Sequence, residues 1–176
     1  MSNLAYLSIG SNIHPEQNLL DAVKLLKQYG QILAVSSIWE TAPAVFSEQA
    51  NFLNAALLLE TDLSVVQLRT EAITEIESTL KRVRTENKHG PRTIDIDITL
   101  FNQLIIDLGT RHIPDNAILK FAYVAIPLAE IAPNYIHPET GQTILEIAQL
   151  FVHDQALISR KEDIKQLIQS VAEFRQ

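Results

Sequence analysis

Two stretches with helical spacing, each set between short runs that alternate like strands, constrain this chain more than any other feature. The first, "PEQNLLDAVKLLKQYG", places Leu19, Ala22, Val23 and Leu26 on one face, with Pro15 near its start and Gly30 at its stop. The second follows Asp62, which reads as its N-cap, and carries Val66, Ile73, Ile76, Leu80 and Val83 on one face, ending near Val83. Strand-like runs lie around them: Leu4 to Ile9, closed by the turn "GSN", then "QILAVSSIWET", "FLNAALLLET" and "TIDIDI". "APAVFSEQAN" has no periodicity and reads as a mobile loop, and "QLIID" reads as a short partner for the last strand. The order is βαββαβ. It predicts an α+β fold, a ferredoxin-like antiparallel sheet with helices on one face and C-terminal helical additions. The other face is left free for a ligand.

Beyond that frame, "IPLAEIA" and "TILEIAQL" suggest two short helices, and "EDIKQLIQSVAEF" a final amphipathic one with Ile164, Leu167, Ile168, Val171 and Phe174 in register. The expected organisation is one domain over residues 1–151 and a helical extension over 152–176 packed on that domain, because such an apolar stripe needs cover. A monomer is expected rather than a dimer. With 176 residues the chain is long enough to bury a core without staples. It has no cysteine, which excludes disulfides and thiolate zinc sites and suits a reducing cytoplasm. "LAYLSIG" is too short and lacks the basic lead-in of a signal peptide, and no apolar run is long enough to span a bilayer. A net charge of −7 disfavours loose binding to nucleic acid, while a local basic patch can still hold phosphates.

In "TIDIDI" the alternation of a strand sends Ile94, Ile96 and Ile98 to one face and Asp95 and Asp97 to the other, with the aspartate Cα atoms roughly 6.5 Å apart. Taken alone this is an amphipathic strand with one wet face. Just upstream, "KRVRTENKHGPRT" brings Arg82, Arg84 and Arg92. Two carboxylates in one site repel unless a cation intervenes, and Mg²⁺ prefers carboxylate oxygens together with substrate phosphates. Arginine grips phosphate oxygens through its fixed fork. The combination reads as metal-assisted phosphoryl transfer, against the plainer reading of a surface ion-pair cluster. In "NFLNAA", Phe52 and Asn54 share a strand face, an aromatic platform beside an amide that donates and accepts, which suits a flat polar heterocycle. The plainer alternative is a core Phe with an outward Asn.

Five pieces, "YLSIGSN", "SSIWETAPA", "NFLNAA", "RVRTENKHGPRTIDIDITLF" and "IPLAEIAP", together resemble the 6-hydroxymethyl-7,8-dihydropterin pyrophosphokinase family of folate biosynthesis, in family order from about Leu4 to Leu150. The resemblance implies transfer of the β,γ-pyrophosphoryl unit of ATP to the pterin hydroxymethyl group, releasing AMP. It implies two Mg²⁺ held by Asp95 and Asp97, and a pterin stacked between Phe52 and Tyr123. The pterin edge would be read by Asn54 and Thr41, and by Ala42 and Ala44 through their backbone. Arg82 and Arg92 would serve the phosphates and the catalytic loop, and Arg84, Ile98 and Lys120 complete the nucleotide set. Partners are then ATP and the pterin, with neither nucleic acid nor membrane.

The chain departs from the family around "IPDNAILKFAYVAIPL", where Asp115, Asn116 and Phe121 stand in place of the usual His, a Tyr or Pro, and Arg. Lys81 replaces the usual Gly before Arg82, His89 stands where Trp is common, and Thr74 where Gln is frequent. These changes fall on the ATP side and predict nucleotide binding weaker than is usual in the family, unless Lys120 or His112 substitutes. A second class of reading is therefore a weak or inactive paralogue that binds a pterin or a partner. A two-metal nuclease shares the Asp pair but is disfavoured by the acidic charge. His14 and His153 read as lying in polar turns and His137 in a surface turn, with no metal-ligand spacing among them.

Overall fold

Antiparallel pairing around two long central strands organises the molecule. The computed structural model describes residues 2–43, 49–83, 90–151, 153–154 and 157–172. Ala44, Arg84, His89 and Phe174, singled out above, lie outside the described residues. β1 (Asn3–Ser11) pairs along its whole length with β4 (Phe52–Thr61), from Asn3 opposite Thr61 to Ser11 opposite Leu53. β5 (Asp95–Phe101) takes the other edge of β1. The far edge of β4 is shared by β2 (Gln31–Val35) and β3 (Trp39–Thr41), and β8 (Leu157–Arg160) adds outside β3.

The single run "QILAVSSIWET" is thus two strands, and its serines show why. The Ser36 hydroxyl accepts the Ala56 amide of β4 at 2.8 Å, and the Ser37 amide turns away to the Glu130 carboxylate at 2.6 Å. A side chain replaces a ladder bond there, and the strand kinks. "QLIID" does not pair with β5 either. Its end forms β6 (Ile106–Asp107), which pairs with β7 (His112–Ile113) across a turn where Gly109 has φ 77°.

α1 (Pro15–Leu26) buries Leu19, Ala22, Val23 and Leu26, the face that its spacing predicts. The second helix starts later than expected. Its cap is Ser64 rather than Asp62, in a capping box with Gln67. It runs as α2 (Val65–Gln67), a π-helical stretch over Leu68–Ile73 and α3 (Thr74–Thr79). The wider π turn shifts the phase of the apolar stripe. Val65, Leu68, Ala72, Ile73 and Ile76 are buried, while Val66 is 49 % exposed and Val83, beyond the helix end, is 73 % exposed.

α1, α2 and α3 cover one sheet face, and Ile164 and Ile168 of α6 (Glu162–Ala172) enter the same core as Leu7, Leu57 and Ile96. The 152–176 extension therefore contains a strand as well as a helix. The opposite face is not left bare. A 3-10 turn (Asn116–Leu119), α4 (Ala122–Ile131) and α5 (Ile144–Gln149) pack on Tyr6, Ala56 and Leu100. α4, "AYVAIPLAEI", is apolar nearly all round and must be buried, so it claims half of the face expected to be free. Among the described residues no helix is long and apolar enough to cross a membrane.

Candidate active site

The uncovered end of that second face is where the chemistry gathers. Register sets Ser8 opposite Asp97, and Gly10 opposite both Asp95 on β5 and Asn54 on β4. The pleat then aims Ser8, Phe52, Asn54, Asp95 and Asp97 the same way, into a cavity of about 750 Å³. Ile94, Ile96 and Ile98 point oppositely and are buried in the helix-covered core.

At one end of the cavity are charges. Arg82 Nη1 lies 2.6 Å from Asp95 Oδ1, Arg92 pairs with Asp95 Oδ2, and Arg111 Nη1 lies 2.7 Å from Asp97 Oδ1. Arg82 also pairs with Glu77, a buried carboxylate whose Oε1 accepts the Ile96 amide at 3.3 Å. Arg82 follows a helix end in which the amides of Lys81 and Arg82 return to the carbonyls of Ser78 and Glu77 at 3.0 and 2.9 Å. This Schellman closure puts Lys81 at φ 58°, a left-handed position that glycine normally fills. Arg92 is fixed through its backbone: its amide donates to Asn12 Oδ1 at 2.8 Å, and its carbonyl accepts from the Asn12 amide at 3.1 Å. Its guanidinium lies 5.8 Å over the Phe52 ring.

Burial pushes both aspartates up, with different outcomes. For Asp95, Arg82 and Arg92 outweigh burial and hold it below the usual carboxylate range. For Asp97, burial and the neighbouring Asp95 charge outweigh Arg111 and push it up to about 6. The pair therefore contains one firmly ionised carboxylate and one poised near neutrality, the arrangement of two like charges without enough compensation.

The other end is neutral. Asn54 Nδ2 donates to Thr41 Oγ1 at 2.7 Å, with both residues buried. Asn54 Oδ1 lies so near Gly10 that a Cβ there would come within 2.6 Å and force the Asn54 amide out of its place. Phe52, Ala42 and Tyr123 complete this wall, and Tyr123 stacks on Phe121 at 5.1 Å between centroids.

Thus Thr41, Ala42, Phe52, Asn54, Arg82, Arg92, Asp95, Asp97 and Tyr123 come together on one cavity. Ile98 instead lines a smaller adjoining recess of about 110 Å³, with Arg69 and Arg111 among its walls. Lys120 is exposed and outside the cavity wall. Asp115 and Phe121 do line the cavity, and Asp115 Oδ1 also accepts the Ala117 amide at 2.8 Å, capping the 3-10 turn that holds Asn116. His112 does not face the cavity. Its ring nitrogens lie 2.9 Å from Asp107 and 2.9 Å from Glu139, contacts that raise its pKa and strap the β6–β7 hairpin to the following turn. His137 is a correction: it lies in a turn but is buried, with Nδ1 accepting the Glu139 and Thr140 amides at 3.3 and 3.4 Å.

Three contributors went unnoticed in the sequence. Glu77 had a signal, a carboxylate next to Ile76 in a helix that packs on the sheet. Asn12 stood in plain view in the "GSN" turn. Arg111 had no local signal, because only the hairpin brings it to Asp97.

A family model described as 7,8-dihydro-6-hydroxymethylpterin-pyrophosphokinase (HPPK) matches residues 6–133. A 2-amino-4-hydroxy-6-hydroxymethyldihydropteridine pyrophosphokinase of Bacillus subtilis is 41% identical over 134 residues, covering 74% of this chain and 79% of the relative. A folic acid synthesis protein of Dictyostelium discoideum is 39% identical over 138 residues, 78% of this chain but only 21% of that longer protein. Among solved structures, the wild-type HPPK-DHPS of Plasmodium falciparum superposes with a TM-score of 0.69 at 16% identity, over 86% of this chain and 45% of that one, a likeness of fold.

Proposed function

The chain belongs to the 7,8-dihydro-6-hydroxymethylpterin-pyrophosphokinase family, and from that premise we propose that it transfers the pyrophosphoryl group of ATP to 6-hydroxymethyl-7,8-dihydropterin, releasing AMP and serving folate synthesis. The observation that carries this reading is the two-ended cavity: paired aspartates ringed by arginines at one end, an amide and aromatic rings at the other.

The donor set suits a hard divalent cation. Asp95 and Asp97 offer only carboxylate oxygens, and the raised Asp97 reflects burial together with the Asp95 charge beside it, a like-charge contact that a cation would relieve. Mg²⁺ held there, two ions in the proposal, would neutralise polyphosphate charge. The rest is done by the chain itself. Arg82, Arg92 and Arg111 exchange aspartate oxygens for phosphate oxygens, orient the β-phosphorus and stabilise charge on the departing AMP. Asn54 and Thr41 read the pterin edge while Phe52 and Tyr123 hold its faces. The hydroxymethyl oxygen is thereby placed beside the charged end, and catalysis is mainly positioning. Ile98 and Arg69 join the nucleotide side through the smaller recess.

The sheet order, β5-β1-β4 with β2 and β3 on the far edge, supports reading the fold as ferredoxin-like. A cytoplasmic monomer remains part of the proposal. Asp115 on the cavity wall, a further acid whose charge acts on Asp97, favours the second reading, a weak paralogue. Incubation with ATP, Mg²⁺ and the pterin, with products separated by chromatography, decides between them. AMP and the pterin diphosphate are expected. ADP, or hydrolysis indifferent to pterin, would overturn the assignment.

A further inference from the structure

Residues two apart on a helix do not face each other, yet the rings of Phe121 and Tyr123 stack at 5.1 Å with their planes 19° apart. The backbone explains it. Phe121 is the residue just before α4, with φ −131° and ψ 125°, so its side chain leaves an extended residue and folds back over the first helical turn. Its carbonyl accepts the amides of Val124 and Ala125 at 3.1 and 3.0 Å, and Ala122 and Val124 are buried, so the start of α4 is pinned. Phe121 itself stays 39 % exposed at the cavity wall. A large ring left half in water at a pinned helix start is there for what it touches, and it touches Tyr123.

We infer that Phe121 is a positioning residue: it covers one face of Tyr123 and fixes that ring as a ready platform, on the same cavity as Phe52, for a flat heterocyclic substrate. The inference rests on the proposed function and assigns Phe121 to the heterocycle rather than to phosphate. Tyr123 is only partly buried against the second core, so loss of the stacked ring would widen its rotamer choice, and ordering it on binding would cost affinity. Phe121 acts through Tyr123, so the two must be coupled energetically.

The test is a double-mutant cycle read by calorimetric binding of 6-hydroxymethylpterin, with Mg²⁺ and a non-hydrolysable ATP analogue present, and by steady-state kinetics. Phe121→Leu should weaken pterin binding about 3- to 10-fold, the range of an aromatic pair. It should raise KM for the pterin with kcat within about twofold, and Phe121→Trp should restore binding. Tyr123→Leu should cost more, and adding Phe121→Leu to it should cost nothing further. Melting curves confirm that each variant is folded. Unchanged or tighter pterin binding by Phe121→Leu, or additive losses in the double variant, would overturn the role. A wild-type protein that binds no pterin would instead overturn the function on which it rests.

Discussion

The two ends of the cavity are built by different means. Thr41, Phe52 and Asn54 sit on β3 and β4, and their positions follow from strand register, a buried hydrogen bond and a glycine that leaves room. Asp95 and Asp97 are also strand-borne, but the arginines that meet them arrive from a helix end, a loop and a hairpin. The neutral end is thus satisfied without ligand, whereas the charged end is held by ion pairs that a polyphosphate and cations can replace. On the proposed function, a heterocycle would meet a finished surface, whereas a nucleotide would have to exchange partners.

The largest expected effect breaks the charged end alone. Asp95→Ala or Asp97→Ala should lower kcat about 100- to 1000-fold, as loss of a preorganised charge contact does, with a cooperative melting transition showing that the fold persists. A variant with near-normal turnover at saturating Mg²⁺ would reduce both aspartates to a wetted strand face.

Glu77 tests whether the arginine scaffold is structural. It is buried, pairs with Arg82 and takes the Ile96 amide, so Glu77→Ala leaves a guanidinium short of one partner. Breaking a buried pair costs about 3–5 kcal/mol, and the remaining Asp95 contact puts the expectation at the lower end. Urea unfolding measures it. A loss below about 1 kcal/mol would place this pair with the weak surface ones.

Asp97 sharpens the comparison through pH. Its folded pKa of about 6 lies above its ordinary value of 3.8. The proton taken up on folding stabilises the protein fully below the ordinary value, and that stability is lost as pH rises through about 6. In EDTA, Asp97→Asn should therefore gain on wild type as pH rises from about 4 to 8, reaching about 1–3 kcal/mol. A pH-independent difference would mean that Asp97 ionises normally.

The smallest effect concerns the helix end that delivers Arg82. Lys81 pays the left-handed penalty at φ 58°, and Lys81→Gly should raise stability by about 0.5–1 kcal/mol, less than the full penalty because glycine also loosens the unfolded chain. An unchanged or lowered melting temperature would show that the turn relaxes otherwise.

The same division explains what could be read in the sequence. Alternation in "TIDIDI" and "NFLNAA" is a local property, so the shared faces of Asp95 with Asp97 and of Phe52 with Asn54 were legible. The two-helix frame was legible for α1 and blurred for the second helix, where the π turn moves Val66 off the buried stripe. The kink at Ser36 and Ser37 depends on Glu130 and Ala56, far along the chain, and could not be foreseen. Arg111 reaches Asp97 only because β6 pairs with β7, and Glu77 finds Arg82 only through the turn at Lys81. Pleat is written locally; partner choice among charges is not.

The aspartate pair is proposed as a cation-dependent nucleotide site, and calorimetric titration with a non-hydrolysable ATP analogue, with Mg²⁺ and then in EDTA, tests that role most directly. Wild-type protein should bind at least about tenfold more tightly with Mg²⁺, and Asp97→Ala should erase most of that difference. Equal affinity in both buffers, unmoved by Asp97→Ala, would contradict the account.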